Sequence, residues 1–89
     1  MTAPEREDDG ALVDRILAGE TSALRFLIER EHATLLRFAR AITRDEDLAA
    51  EVVQEAWVRI HRGFGSFEKR SSLRTWMARI VINRAKTPS

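Results

Sequence analysis

The chain reads as an all-α protein, a compact bundle of about four helices, and three observations predict this. Apolar residues recur at spacings of three and four through four successive stretches, strand-type alternation is nearly absent, and breakers are few, with 4 Gly and 2 Pro in 89 residues. A chain of this length is one small domain with a single core.

Residues 1–9 lack apolar periodicity and read as a disordered acidic tail, leaving 10–87 as the folded domain. Leu12, Val13, Ile16 and Leu17 predict a short first helix that leaves through Gly19. Thr21 is placed to cap a longer second helix, whose stripe is Leu24, Leu27, Ile28, Leu35, Phe38, Ala39 and Ile42. Asp45 is placed to cap the third, with Leu48, Val52, Ala56 and Ile60 on one line, Ala49, Val53 and Trp57 beside it, and Gly63 and Gly65 at its end. After a loop over 63–70, Ser71 or Ser72 caps a fourth helix running to about Lys86, with Leu73, Trp76, Met77, Ile80 and Val81 inward. Pro88 opposes continuation.

Charge is divided sharply along this chain. Residues 1–56 carry 7 Lys+Arg against 13 Asp+Glu, a balance of −6, and residues 57–89 carry 8 against 1, a balance of +7. The basic part holds Trp57, Phe64, Phe67 and Trp76, so cations and flat rings interleave as a polymer of phosphates and stackable bases requires. On the fourth helix Thr75, Arg79, Asn83 and Lys86 share one side, flanked by Arg74 and Arg84, which suits phosphate contact together with base-edge contact. In the loop, Phe64 is assigned to packing and Phe67 to a pocket for an unstacked base. On the third helix, Glu51, Gln54, Glu55 and Val58 form a mixed acidic and apolar face suited to a partner's helices.

Enzymatic chemistry finds no support. There is no cysteine, His32 and His61 lack metal-ligand spacing, no phosphate-cradling glycine loop precedes a G-K-[ST], and no nucleophile with base and orienting acid can be assembled. No cofactor and no metal are expected. No apolar run reaches the roughly 20 residues of a membrane span, so no membrane insertion is expected and the chain is placed in the cytoplasm.

The ordered set Glu51-Val52-Val53-Gln54-Glu55-Ala56-Trp57, then Ser66-Phe67, then Leu73-Arg74-Thr75-Trp76-Met77-Ala78-Arg79-Ile80 and Asn83 resembles the second conserved domain of bacterial sigma factors, closest to the extracytoplasmic-function group. The similarity runs from about Leu12 to Lys86. It implies a DNA-binding transcription initiation domain that docks on the clamp helices of the largest RNA polymerase subunit. It also implies recognition and melting of the promoter minus-ten element through a flipped base of the single-stranded non-template strand. By resemblance, Glu51, Gln54 and Glu55 are polymerase contacts, Phe67 belongs to the specificity loop, and Gly63, Ile80 and Asn83 build the base pocket. Arg74, Arg79 and Lys86 become backbone contacts. An inhibitory anti-sigma partner is a further expectation. Family members continue into a minus-thirty-five-binding domain, and a chain ending at Thr87-Pro88-Ser89 is read as a fragment without it. Two other classes compete: a helical protein-interaction module, and a helix-turn-helix binder of duplex DNA, whose tight turn the eight-residue loop does not supply.

Overall fold

The computed structural model describes the backbone of residues 5–87 and the side chains of 9–87. Among these residues the order is α1 (Glu5–Leu17), α2 (Thr21–Thr43), α3 (Glu46–Gly63), a single 3-10 turn (Phe64–Ser66) and α4 (Leu73–Lys86), with no strand. Part of the stretch expected as a tail over 1–9 is helical instead. Helix α1 already runs from Glu5, and Asp9 is buried because its carboxylate accepts a hydrogen bond from the backbone N–H of Leu73 at 2.8 Å. Residues 1–4 and the stop expected at Pro88 lie outside the described residues.

Helix α1 ends in a two-bond glycine exit: Gly19, at φ 92, donates to Ile16 O at 3.0 Å, and Glu20 donates to Arg15 O at 3.0 Å. That exit displaces the cap expected at Thr21. Glu20 is the capping residue and makes no side-chain cap bond, its carboxylate instead pairing with Arg15 at 3.2 Å. Helix α2 closes at Arg44, which takes a left-handed backbone with φ 56 and donates to Arg40 O at 2.9 Å. Asp45 caps α3 as expected, accepting from Leu48 N at 2.9 Å, and Ser72 caps α4, accepting from Thr75 N at 3.1 Å.

The core sits where α2, α3 and α4 pack on one another, with α1 laid along α2. Ala23, Leu27, Leu35 and Ala39 of α2, Ala49, Val52, Val53, Ala56 and Ile60 of α3, and Leu73, Met77 and Val81 of α4 are all buried, as is Phe64 of the connecting turn. Alanines at 39, 49 and 56 leave room for the three helices to approach closely. Leu48 and Ile42 depart from the expected stripes and are exposed. The inward line of α3 runs through Ala49, Val53, Ala56 and Ile60, which turns Leu48 outward. Trp57 and Trp76 are half-buried, and the Trp57 indole N–H donates to His32 Nδ1 at 3.1 Å.

One core position is charged. Glu31 lies on the four-residue line of Ala23, Leu27, Leu35 and Ala39 and is 0% exposed. Arg74 donates to it twice, Nε to Oε1 at 2.7 Å and Nη2 to Oε2 at 3.2 Å, and Arg30 Nε donates to Oε2 at 2.8 Å. Arg30 also reaches Asp9 at 3.6 Å. Asp9, Arg30, Glu31 and Arg74 thus form one chain of charges through α1, α2 and α4. Burial raises the Glu31 pKa, but the hydrogen bonds and charges of Arg74 and Arg30 outweigh it and hold the carboxyl below the ordinary carboxylate range.

Candidate nucleic-acid interface

The interface is built around the junction of α3 and α4. Helix α3 stops at Gly63, where a side chain would crowd the next helix: an added Cβ would lie 3.2 Å from Trp76 Cζ2 and 3.3 Å from Cη2. Glycine lets the indole press on the backbone. Phe64 fills the core 6.0 Å from the Trp76 ring, and Phe67 packs on the same indole at 5.4 Å. Phe64 is buried, in keeping with the packing role expected of it, and Phe67 is half-buried against the core.

The loop then turns through Lys69, held at φ 63, into the Ser72 cap. Two side chains satisfy the first N–H groups of α4: Ser72 at Thr75 and Asp9 at Leu73. With its start fixed this way, α4 buries Leu73, Met77 and Val81 and turns Thr75, Arg79, Asn83 and Lys86 to solvent.

The expected single notch is divided in the structure. Phe67 and Arg79 line one depression of about 170 Å³, together with Ser66, Trp76 and the loop residues between them. Ile80 and Asn83 line another of about 230 Å³ with Arg59, Arg84 and Thr87. Gly63 opens onto a third, shared with Glu55, Val58, Arg59 and Arg62. Trp76 joins them physically, since it packs on Gly63 and lines the Phe67 depression. Among the described residues Arg59, Arg62, Arg79 and Lys86 make no ion pair, so their charge faces solvent.

Two assigned residues are otherwise engaged. Arg74, expected to hold phosphate, is turned to the buried Glu31, because a carboxylate inside the bundle demands a cation more strongly than solvent does. Glu55, expected to meet a partner, is clasped by Arg84, with Nε and Nη2 donating at 2.8 and 2.9 Å. Those hydrogen bonds, opposed in part by desolvation and aided by the charges of Arg84 and Arg59, lower its pKa. The pair pins α3 to α4 beside the Asn83 depression. Glu51 and Gln54 remain exposed on α3, next to Leu48, 40% exposed, and Val58, 51% exposed. Leu48, Glu51, Glu55 and Val58 follow helical spacing, giving an apolar-acidic strip on the outer side of that helix.

Arg59 and Trp76 also line these depressions, and neither was expected there. Arg59 lies four residues beyond Glu55 and three before Arg62, a spacing that placed it on the basic end of the same face. Among the described residues there is no cluster of metal-ligating side chains and no helix long and apolar enough to cross a membrane.

Comparison with known proteins bears on this arrangement. Residues 27–87 match the family described as Sigma-70 region 2. The chain is similar to the RNA polymerase sigma-H factor of Pseudomonas aeruginosa, 33% identical over 81 residues, which is 91% of this chain and 42% of that protein. It is similar to the ECF RNA polymerase sigma factor SigM of Mycobacterium tuberculosis, 36% identical over 75 residues, covering 84% of this chain and 38% of the relative. The ECF RNA polymerase sigma-E factor of Escherichia coli K12 is 32% identical over 83 residues, 92% of this chain and 42% of the relative. The chain spans about two fifths of the length of these curated relatives.

Proposed function

The chain belongs to the Sigma-70 region 2 family, and from that premise we propose that it works in transcription initiation, docking on RNA polymerase and reading the opened minus-ten element of a promoter. The observation that carries the reading is the exposed row of Thr75, Arg79, Asn83 and Lys86 beside the Phe67–Trp76 ring pair. Cations, an amide and a stacking surface stand together on a helix whose start is fixed from two sides.

Taking a base out of a duplex costs a few kcal/mol, which must come from contacts that only the opened strand offers. Phe67, backed by Trp76, supplies a ring on which an unstacked base can lie. The Asn83 amide, at the mouth of the neighbouring depression, is both donor and acceptor and so can discriminate among base edges. Arg79, Lys86 and Arg59 hold phosphates on either side. Arg74 is not among them, since its charge answers Glu31 inside the bundle. Because Phe67 and Asn83 line different depressions, one captured base need not touch both, and stacking and edge recognition are assigned to successive nucleotides. Gly63 serves by admitting Trp76, and Ile80 forms an apolar floor beside Asn83. The strip of Leu48, Glu51, Gln54, Glu55 and Val58 docks on the polymerase clamp helices, apolar ends supplying contact area and carboxylates setting register. An anti-sigma partner would act by covering either surface.

Binding of single-stranded minus-ten oligonucleotides tests the assignment. Phe67→Ala should lose roughly 1–3 kcal/mol of stacking, and Asn83→Ala should lose base preference. Lys86→Ala should weaken all sequences alike and flatten the salt dependence. If Phe67→Ala and Asn83→Ala both bind as tightly as wild type with the same preference, the site is misassigned.

A further inference from the structure

The loop and the start of α4 are held in part by α1, which carries none of the proposed nucleic-acid contacts. Asp9 is 3% exposed, and its Oδ2 accepts the backbone N–H of Leu73, 64 residues away, at 2.8 Å. The neighbouring Gly10 lies beneath the Lys69 side chain, so close that a Cβ there would meet Lys69 Cε and Nζ at 3.0 Å. Lys69 itself holds a left-handed backbone at φ 63, a conformation that a long unbranched side chain adopts at a cost. Arg30, 3.6 Å from Asp9 and bonded to Glu31, faces Asp9 from α2 and orients its carboxylate. One turn of α1 therefore meets the loop near α4 in two ways: the exposed Lys69 side chain passes over Gly10, two residues beyond Phe67 in the chain, and Asp9 bonds Leu73, the first residue of α4.

We propose that Asp9, with the Lys69 side chain laid over Gly10, is a positioning pair for base selection, setting the loop between Phe67 and Leu73 so that the Phe67 ring, already against Trp76, and the α4 face keep one relative placement. The proposal rests on the base-capture reading above. The ring and the helix face are six or more residues apart along the chain, and the intervening loop has no buried apolar side chain of its own. Without the two contacts from α1, the ring would keep its packing on Trp76 but lose the fixed loop behind it, and its tilt relative to Asn83 would vary. Contact with phosphate tolerates such movement, because charge acts over distance. Selection among bases does not, because a hydrogen bond to a base edge or a stacked ring fails with a shift of about 1 Å. The acidic first helix therefore contributes to discrimination without touching nucleic acid.

The 89-residue chain is assayed as it stands, comparing affinity for a preferred single-stranded minus-ten oligonucleotide with affinity for the same oligonucleotide altered at its captured base. Asp9→Ala should lower this ratio roughly tenfold, leave affinity for the altered oligonucleotide unchanged, and speed hydrogen exchange at the Leu73 amide. Asp9→Asn, whose carbonyl oxygen can still accept from Leu73, should restore the ratio, which a loss of charge alone would not predict. Lys69→Asn keeps a residue tolerant of the left-handed backbone at an exposed position, removes the side chain that lies over Gly10, and should lower the ratio too, so it decides the matter if Asp9→Ala fails to fold. A wild-type ratio in folded Asp9→Ala, or in Lys69→Asn where Asp9→Ala does not fold, overturns the proposal while leaving base capture standing. A wild type that shows no preference removes the base-capture reading and this proposal with it.

Discussion

Replacing Arg74 with alanine should destabilise the domain far more than loss of a surface arginine. Glu31 is wholly buried and is neutralised by Arg74 at 2.7 Å and Arg30 at 2.8 Å. Breaking a buried pair by removing one partner costs about 3–5 kcal/mol. Arg30 remains, and the Arg74 side chain is 44% exposed, so water reaches the vacated place and the expectation falls to about 2–3 kcal/mol. For a domain this size each kcal/mol moves the unfolding midpoint by roughly 4–8 °C, so thermal unfolding followed by circular dichroism at pH 7 should drop by about 8–24 °C. Arg74→Lys keeps the charge but not the paired geometry and should fall between. Adding Glu31→Leu to Arg74→Ala should recover much of the loss, since no buried charge is left unanswered. The pH dependence has a definite sign. Glu31 is held below its ordinary value of 4.5 in the folded state, so its contribution is complete above that pH and disappears as the pH falls through the lowered value. The gap between wild type and Arg74→Ala should narrow on acidification below pH 4.5. A cost under about 0.5 kcal/mol at pH 7, the value of an exposed ion pair, would refute the buried-charge reasoning.

Three other outcomes follow from the geometry. Ser72→Ala should cost about 1 kcal/mol in urea unfolding through loss of the cap on Thr75, a modest figure because Asp9 still holds Leu73. Gly63→Val should cost about 1–3 kcal/mol and shift Trp76 fluorescence, since the added Cβ enters the 3.2 Å approach of the indole. Charge reversal separates docking from stability: Glu51→Lys should reduce capture of RNA polymerase core with the unfolding midpoint unchanged. Glu55→Lys should reduce both, because it also breaks the Arg84 clasp.

What was legible in the sequence was local. The caps at Asp45 and Ser72 bond groups three residues away, and the Arg79, Asn83, Lys86 row is a matter of helical spacing, so neighbours in sequence decide both. The residues that escaped are those whose role depends on distant partners. Asp9 belongs by composition to an acidic tail, and only the folded chain brings it to Leu73. Arg74 belongs by charge to the nucleic-acid face, and only the fold turns it to Glu31, 43 residues away. Glu31 did carry a signal, since it stands four residues from both Leu27 and Leu35 on the core line, but a carboxylate there gains its meaning from two arginines on different helices. The residues expected to receive an unstacked base are spread over separate depressions for the same reason. The angle between loop and helix is set by Trp76 on Gly63 and by α1, neither of which spacing reveals.

The central claim is that the ring pair and the α4 face recognise separated strands. Affinities of this chain for one minus-ten sequence, presented single-stranded and as duplex at the same low salt concentration, test it most directly. The single strand should bind more tightly, with the advantage reduced in Phe67→Ala. Equal or tighter binding to the duplex would contradict it.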